Sequence, residues 1–129
     1  MLVCALLITD WQLTPPSTAW ELRRSHDDRL SLAAWNRVAV TVTLRRTLRP
    51  LAVWLRDETP PTFAISDAQR ILSGTATPGE TTTLVYYLRP PRRGDYAFGD
   101  LHLRWDSALG LLRRQARFPA AEPVKVYPM

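Results

Sequence analysis

The chain has one cysteine, Cys4, so an internal disulfide framework and a cysteine-built zinc cluster are both excluded. It has two histidines, His26 and His102, too few to build an imidazole metal site without help from carboxylates. Lysine is almost missing: of 17 basic residues only Lys125 is a lysine, and the rest are arginine. Five glycines against eleven prolines leave little room for long uninterrupted helices. No apolar run approaches the roughly 20 residues of a membrane-spanning helix. There is no internal repeat and no low-complexity tract. What remains is ordinary for a globular domain: 129 residues, 46% hydrophobic and 22% charged, with a net charge of +5. That length suits one domain with a real core.

The apolar residues that are present gather first at the N-terminus. Met1 to Ile8 is unbroken, followed by Thr9, Asp10 and Trp11. As a helix it covers about 12 Å against the roughly 30 Å of a bilayer core. It lacks the basic region and cleavage site of a signal peptide. Two readings stay open: a first strand or helical cap packed on the domain, or the last turns of a membrane helix with Trp11 at the interface. Residues 1–14 are accordingly set apart from a domain spanning 15–129.

After Pro15-Pro16 the hydrophobic period becomes two. Val38, Val40, Val42 and Leu44 alternate with Arg37, Ala39, Thr41, Thr43 and Arg45. Leu51, Val53 and Leu55 alternate with Ala52, Trp54 and Arg56, and Thr47 to Pro50 between the two sets predicts a hairpin. Thr81 to Leu88 is a third strand, bounded by Pro78-Gly79 and Pro90-Pro91. Weaker strands are expected at Ala19–Arg24, Thr62–Ser66, Leu111–Phe118 and Val124–Tyr127. Asp67 to Leu72 holds at most a short helical turn.

Between Tyr96 and Trp105 the parity changes. Tyr96 and Phe98 share one face, while Leu101, Leu103 and Trp105 share the other. A bulge at Gly99-Asp100 would bring both sets to the core and is preferred. A turn between strands, or two faces meeting different layers, are the alternatives. Seven to eight short strands predict an all-β, immunoglobulin-like antiparallel β-sandwich behind a short apolar N-terminal segment.

Chemistry is sparse. His26, beside Asp27 and Asp28, reads as a solvated loop residue, and His102 as an outward-facing strand residue. Asp57 and Glu58 are adjacent, so in a strand they point to opposite faces and do not flank one bond unless the turn at Pro60-Pro61 reorients them. No nucleophile elbow, phosphate loop or dinucleotide fingerprint occurs. No catalytic residue, metal ligand or cofactor is assigned, and the chain is not expected to be an enzyme. Arg92, Arg93 and Trp54 are the candidate partner contacts. Pro90, Pro91, Gly94 and Gly99 are assigned to structural turns, with Pro90 to Gly94 expected to close a hairpin. Arginine doublets raise a nucleic-acid reading, weakened by interleaved acidic residues and by strand alternation, which splits a doublet across two faces.

Several stretches resemble one family. They are Arg29-Leu-Ser-Leu32 with Asn36-Arg-Val-Ala-Val-Thr-Val42, Arg49-Pro-Leu-Ala-Val-Trp-Leu-Arg-Asp-Glu58, and above all Tyr87-Leu-Arg-Pro-Pro-Arg-Arg-Gly-Asp-Tyr-Ala-Phe-Gly-Asp-Leu-His-Leu103, followed by Asp106-Ser-Ala-Leu-Gly-Leu111 and Val126-Tyr-Pro128. In order and spacing they are similar to the sandwich region of bacterial proteins in the domain of unknown function 58 family. The resemblance implies paired membrane helices before the sandwich and a von Willebrand factor A-like domain after it. It also implies action with a MoxR-type AAA+ ATPase in assembly or maturation of other proteins. The chain then corresponds to a spacer or docking module, with Met1–Ile8 as the end of a membrane helix. Membrane association follows, and the arginine content favours the cytoplasmic side. The family's Asp-x-Ser-x-Ser metal motif is not in this sequence.

Overall fold

The computed structural model describes residues 2–27, 29–45, 50–65, 71–107 and 109–127. A helix α1 (Leu2–Leu13) and a short 3-10 turn (Ser17–Ala19) lead into strands only. These are β1 (Trp20–Ser25), β2 (Arg29–Ser31), β3 (Asn36–Leu44), β4 (Leu51–Asp57), β5 (Ala64–Ile65), β6 (Leu72–Ala76), β7 (Thr81–Arg89), β8 (Gly94–Phe98), β9 (Leu101–Asp106), β10 (Arg113–Phe118) and β11 (Glu122–Tyr127). The N-terminal run is therefore helical, and it continues through Leu13 before the two prolines end it.

Three sheets form among the described residues: β1-β3-β7-β5, β10-β9-β4-β6 and β2-β11-β8. The expected all-β sandwich is present. Its core lies where the alternating apolar faces meet. Val38, Val40, Val42 and Leu44 come from β3, Tyr86 and Leu88 from β7, Val53 and Leu55 from β4, and Leu103 and Trp105 from β9. Trp20 and Trp105 pack across the gap with ring centroids 5.2 Å apart. Burying a side chain of this size contributes about 1.5–3 kcal/mol, so the shared parity of these residues is what selects the faces.

Strand pairing departs from the sequence reading in four places. β3 and β4 are not a hairpin: β3 pairs with β1 and β7, whereas β4 pairs with β6 and β9. Residues 46–49 of that connection lie outside the described residues. Gly99-Asp100 is not a bulge. β8 pairs with β11 and β9 pairs with β4 and β10, so the chain changes sheet there. Both parities do reach the core, with Phe98 and Leu101 each buried. The same is true of Pro90 to Gly94, which link β7 to β8 in a different sheet rather than closing a hairpin. Finally, β2 and β11 run parallel, with Lys125, Val126 and Tyr127 opposite Arg29, Leu30 and Ser31.

Two strands were not anticipated, β2 and β6. Leu72 opens β6 instead of ending a helical turn, and residues 66–70 of that stretch lie outside the described residues. The expected Thr62–Ser66 strand starts only at Ala64, because Phe63 is buried in a turn closed by its N–H on the Pro60 carbonyl, 3.1 Å away, and Ser66 lies outside the described residues.

The two assigned glycines serve different ends. Gly94 has φ +150, a conformation that L side chains rarely adopt. A Cβ at Gly99 would lie 2.8 Å from Glu58 Cβ, because the sheet change brings the two backbones together. There Gly99 N–H donates to the Glu58 carbonyl at 2.8 Å, and Glu58 N–H donates to the Asp100 carbonyl at 3.1 Å.

Candidate docking surface

Inside the sandwich a buried polar cluster is centred on Arg24. Strand alternation puts Arg23 outward and Arg24 inward, so the doublet is split. The Arg24 guanidinium donates to Asp57 through Nε (2.9 Å) and Nη2, to the Ala120 carbonyl (2.6 Å) and Glu122 Oε1 (3.1 Å) through Nη1, and to the Gly99 carbonyl (2.9 Å) through Nη2. All five donors of the fork are thereby used. Its face lies 4.5 Å from the Phe98 ring centroid. The Tyr86 hydroxyl donates to Asp57 Oδ2 at 2.5 Å. Burial, with the Asp57 carboxylate alongside, pushes the Tyr86 hydroxyl well above its ordinary range. This cluster holds β1, β4, β7 and β11 at the point where the chain changes sheet. It has a structural role.

His26 joins this cluster. Its side chain is 7% exposed and is not the solvated loop residue expected. The ring packs 5.0 Å from Phe98, and Nε2 stands 3.2 Å from Glu122 Oε1. His102 does face outward, half-buried, with Nε2 3.2 Å from Glu58 Oε2. Asp57 and Glu58 diverge as alternation requires, one to Arg24 and the other to His102 and the Asp100 N–H (2.7 Å). Among the described residues no three metal-ligating side chains converge.

The candidate contact residues fall in two places. Trp54 lies on the outer face of β10-β9-β4-β6, directly opposite Arg104 and 4.4 Å beneath the Arg113 guanidinium. With Arg56, Ile71 and Arg117 it lines a shallow depression of about 690 Å³. Arg92 and Arg93 are elsewhere, in the exposed link between β7 and β8. The Tyr96 hydroxyl donates to the Arg92 carbonyl at 3.0 Å and holds that link in place.

Around Arg92 and Arg93 the topology assembles residues that sequence reading left apart. The turn between β2 and β3 docks on the link through the Ala33 N–H to the Pro90 carbonyl, 3.0 Å. Asn36 fixes that turn, its Oδ1 accepting from Ser31 N–H (2.9 Å) and its Nδ2 donating to the Ser31 (3.0 Å) and Ala34 (2.9 Å) carbonyls. Ala33 is held at φ 57, a conformation a non-glycine residue keeps only when its surroundings impose it. The result presents Trp35, 50% exposed, beside Arg89. Val126 stands opposite Gly94, which puts the exposed Tyr127 next to the same link, with Arg29 5.3 Å from its ring centroid.

At the other end stands α1, whose burial is inverted. Leu2, Val3, Leu6, Ile8, Trp11 and Leu13 are exposed, and the one buried residue is Asp10. Its carboxylate accepts from the Ser107 hydroxyl and from the backbone N–H of Leu109 (2.5 Å) and Leu111 (3.2 Å) in the β9–β10 turn. Trp105 Nε1 donates to the Pro15 carbonyl at 3.1 Å, and the Arg114 guanidinium lies 4.0 Å from the Trp11 ring centroid. The helix is thus fastened to the sandwich by its polar residue and shows its apolar ones outward. No family model matches the chain, and no curated protein matches it.

Proposed function

We propose that this chain is a non-catalytic β-sandwich spacer or docking module of a membrane-anchored protein. In this reading it acts with a MoxR-type AAA+ ATPase in the assembly or maturation of other proteins, alongside a von Willebrand factor A-like domain of the full-length protein. The observation that carries the membrane part is the inverted burial of α1. A helix apolar on every side is a helix for the interior of a protein or a bilayer, and here the protein covers only Asp10. No described helix is long and apolar enough to cross a membrane. At about 18 Å, α1 supplies the emerging end of a longer span. Trp11 and Arg114 then lie at the interface, where an amphipathic ring and a cation suit the headgroups.

Vesicle flotation tests this. The full chain is expected to float with phosphatidylcholine vesicles and a chain lacking residues 1–8 to stay behind. Equal behaviour of the two overturns the membrane part. Binding of the full chain to a purified MoxR-type ATPase, measured by calorimetry with and without ATP, tests the partner.

A second reading, a nucleic-acid-binding β module, draws on the outer face of β10-β9-β4-β6, where Trp54 stands among Arg56, Arg104, Arg113 and Arg117. Arg113 and Arg117 are drawn to Asp106 and Asp100, which leaves Arg56 and Arg104 without a carboxylate among the described residues. Salt-sensitive binding of a labelled oligonucleotide that disappears in Trp54→Ala would support it. No binding at low ionic strength would remove it.

A further inference from the structure

The end of the sandwich remote from α1 gathers six exposed cations. Arg29, Arg37, Arg89, Arg92, Arg93 and Lys125 are exposed there, and none has a carboxylate within 4 Å among the described residues. The exposed acidic residues among them are Asp27 and Asp95. Among the described residues of this end, the six cations outnumber the two acidic residues. Elsewhere four arginines are matched, Arg24 to Asp57 and Glu122, Arg45 to Glu21, Arg113 to Asp106 and Arg117 to Asp100, while Arg56 and Arg104 on the outer face of β10-β9-β4-β6 stand without a carboxylate among the described residues. Charge left unmatched on a rigid scaffold is charge held for something else.

The aromatics at the same end strengthen this. Trp35, Tyr87 and Tyr127 are 50%, 41% and 42% exposed. Tyr87 pairs across the strands with Arg37, Trp35 lies beneath Arg89, and Tyr127 beneath Arg29. Tryptophan, tyrosine and arginine are the residues that dominate protein–protein hot spots. Here Trp35 lies on the β2–β3 turn that is pinned to the β7–β8 link, and Tyr87 and Tyr127 lie on strands, so little ordering entropy opposes binding.

We infer that this end is a docking surface for an acidic protein segment, with Trp35 as the anchor and Arg89, Arg92 and Arg93 matching its carboxylates. A lipid surface fits poorly. β3 runs from this end at Asn36 to the α1 end at Leu44, where Trp20 and Arg45 meet it, a span of about 26 Å. Nucleic acid fits less well, because base stacking needs open ring faces along a basic groove. Trp35 and Tyr127 are each faced by an arginine, Trp35 on the β2–β3 turn and Tyr127 at the end of β11. The inference rests on the docking reading above and adds where the partner binds and what chemistry it presents.

The test uses the full chain in detergent micelles and two labelled probes: a 20-residue Glu-rich peptide with interspersed leucines, and a single-stranded 20-nucleotide oligomer. The peptide is expected to bind at low salt and more weakly at physiological salt. Arg92→Glu with Arg93→Glu is expected to weaken it at least about tenfold, as reversal of interface charges does. Trp35→Ala, or Trp35→Phe should alanine disturb the turn, is expected to weaken it several-fold, and Trp54→Ala to leave it unchanged. Absence of peptide binding, or binding unaffected by the variants at this end, overturns the inference. Tighter binding of the oligomer that falls with the same variants overturns it in favour of nucleic acid. Flotation of these variants with vesicles separates the two readings, since it follows α1 alone.

Discussion

Arg24 and Asp57 face each other across the sandwich as a two-pronged ion pair, their side chains 2% and 3% exposed. Arg24 belongs to β1 and Asp57 to the end of β4, so the pair joins two sheets that share no hydrogen-bonded strands. A buried charge that loses its partner is costlier than a pair that is removed together. Arg24→Met is therefore expected to destabilise the domain by about 3–5 kcal/mol. Combining it with Asp57→Leu should add less than the sum of the two single effects. Urea unfolding of the four proteins in a double-mutant cycle checks this, and strict additivity would deny the coupling.

Tyr86 extends that pair into an alkaline prediction. Its hydroxyl is raised above the ordinary value of 10.0 by burial, then by the charge and hydrogen bond of Asp57. A group protonated more firmly in the folded state stabilises it fully below the unfolded pKa and loses that contribution as pH rises. Wild-type stability should accordingly fall above about pH 10. Tyr86→Phe should fall less over the same range, though it starts lower by about 1.5–3 kcal/mol for the lost charged hydrogen bond. Melting midpoints at pH 8 and pH 11 give the comparison.

The sheet change at Gly99-Asp100 makes the opposite prediction in acid. Glu58 is held below 4.5 by the Asp100 N–H and by His102, and Asp100 below 3.8 by the Arg117 guanidinium and the Ala120 N–H. Groups with depressed folded pKa values stabilise above their unfolded values and lose that contribution as pH falls through the folded ones. Stability should decline below about pH 4.5, and the decline should be shallower in Glu58→Gln with Asp100→Asn. An identical acid profile for wild type and variant would show that these carboxylates are not linked to folding.

The N-terminal helix separates two effects that a single long deletion would merge. Removing residues 1–8 takes away exposed apolar side chains and should leave the melting midpoint unchanged. Asp10→Ala strands the Ser107 hydroxyl and the Leu109 and Leu111 N–H groups, and should cost about 1–3 kcal/mol. Calorimetry of both proteins checks this, and unfolding on removal of 1–8 would make the apolar run part of the core.

The two-residue period of β3, β4 and β7 was readable because each strand buries one face. Which strand lies beside which was not, since pairing joins residues far apart in the chain, and the proposed β3–β4 hairpin failed on that point. β6 hid because Ser73, Gly74 and Thr75 interrupt its apolar residues, and β2 because three residues show no period. Arg24 was legible in principle: Trp20, Leu22 and Arg24 share one parity, so an inward arginine was written into β1. Reading Arg23-Arg24 as a doublet obscured it. Asp10, a lone carboxylate after an apolar run, was visible as an oddity, but its partners come from 97 to 101 residues away. Arg92 and Arg93 could be seen as an exposed link. Trp35 joins them through the β3–β7 pairing and the Ala33–Pro90 hydrogen bond, and Tyr127 through the β8–β11 pairing.

The parallel pairing of β2 with β11 has a mechanical consequence. A pull at Tyr127, directed along β11 and resisted at α1, loads the bonds to β2 and β8 together in shear instead of opening them one by one. Arg24 reinforces the start of β11 through Glu122, and the Asp10 clamp secures the opposite anchorage. Pulled between those two points, the domain is expected to resist as a sheared sheet and not as a peeled one.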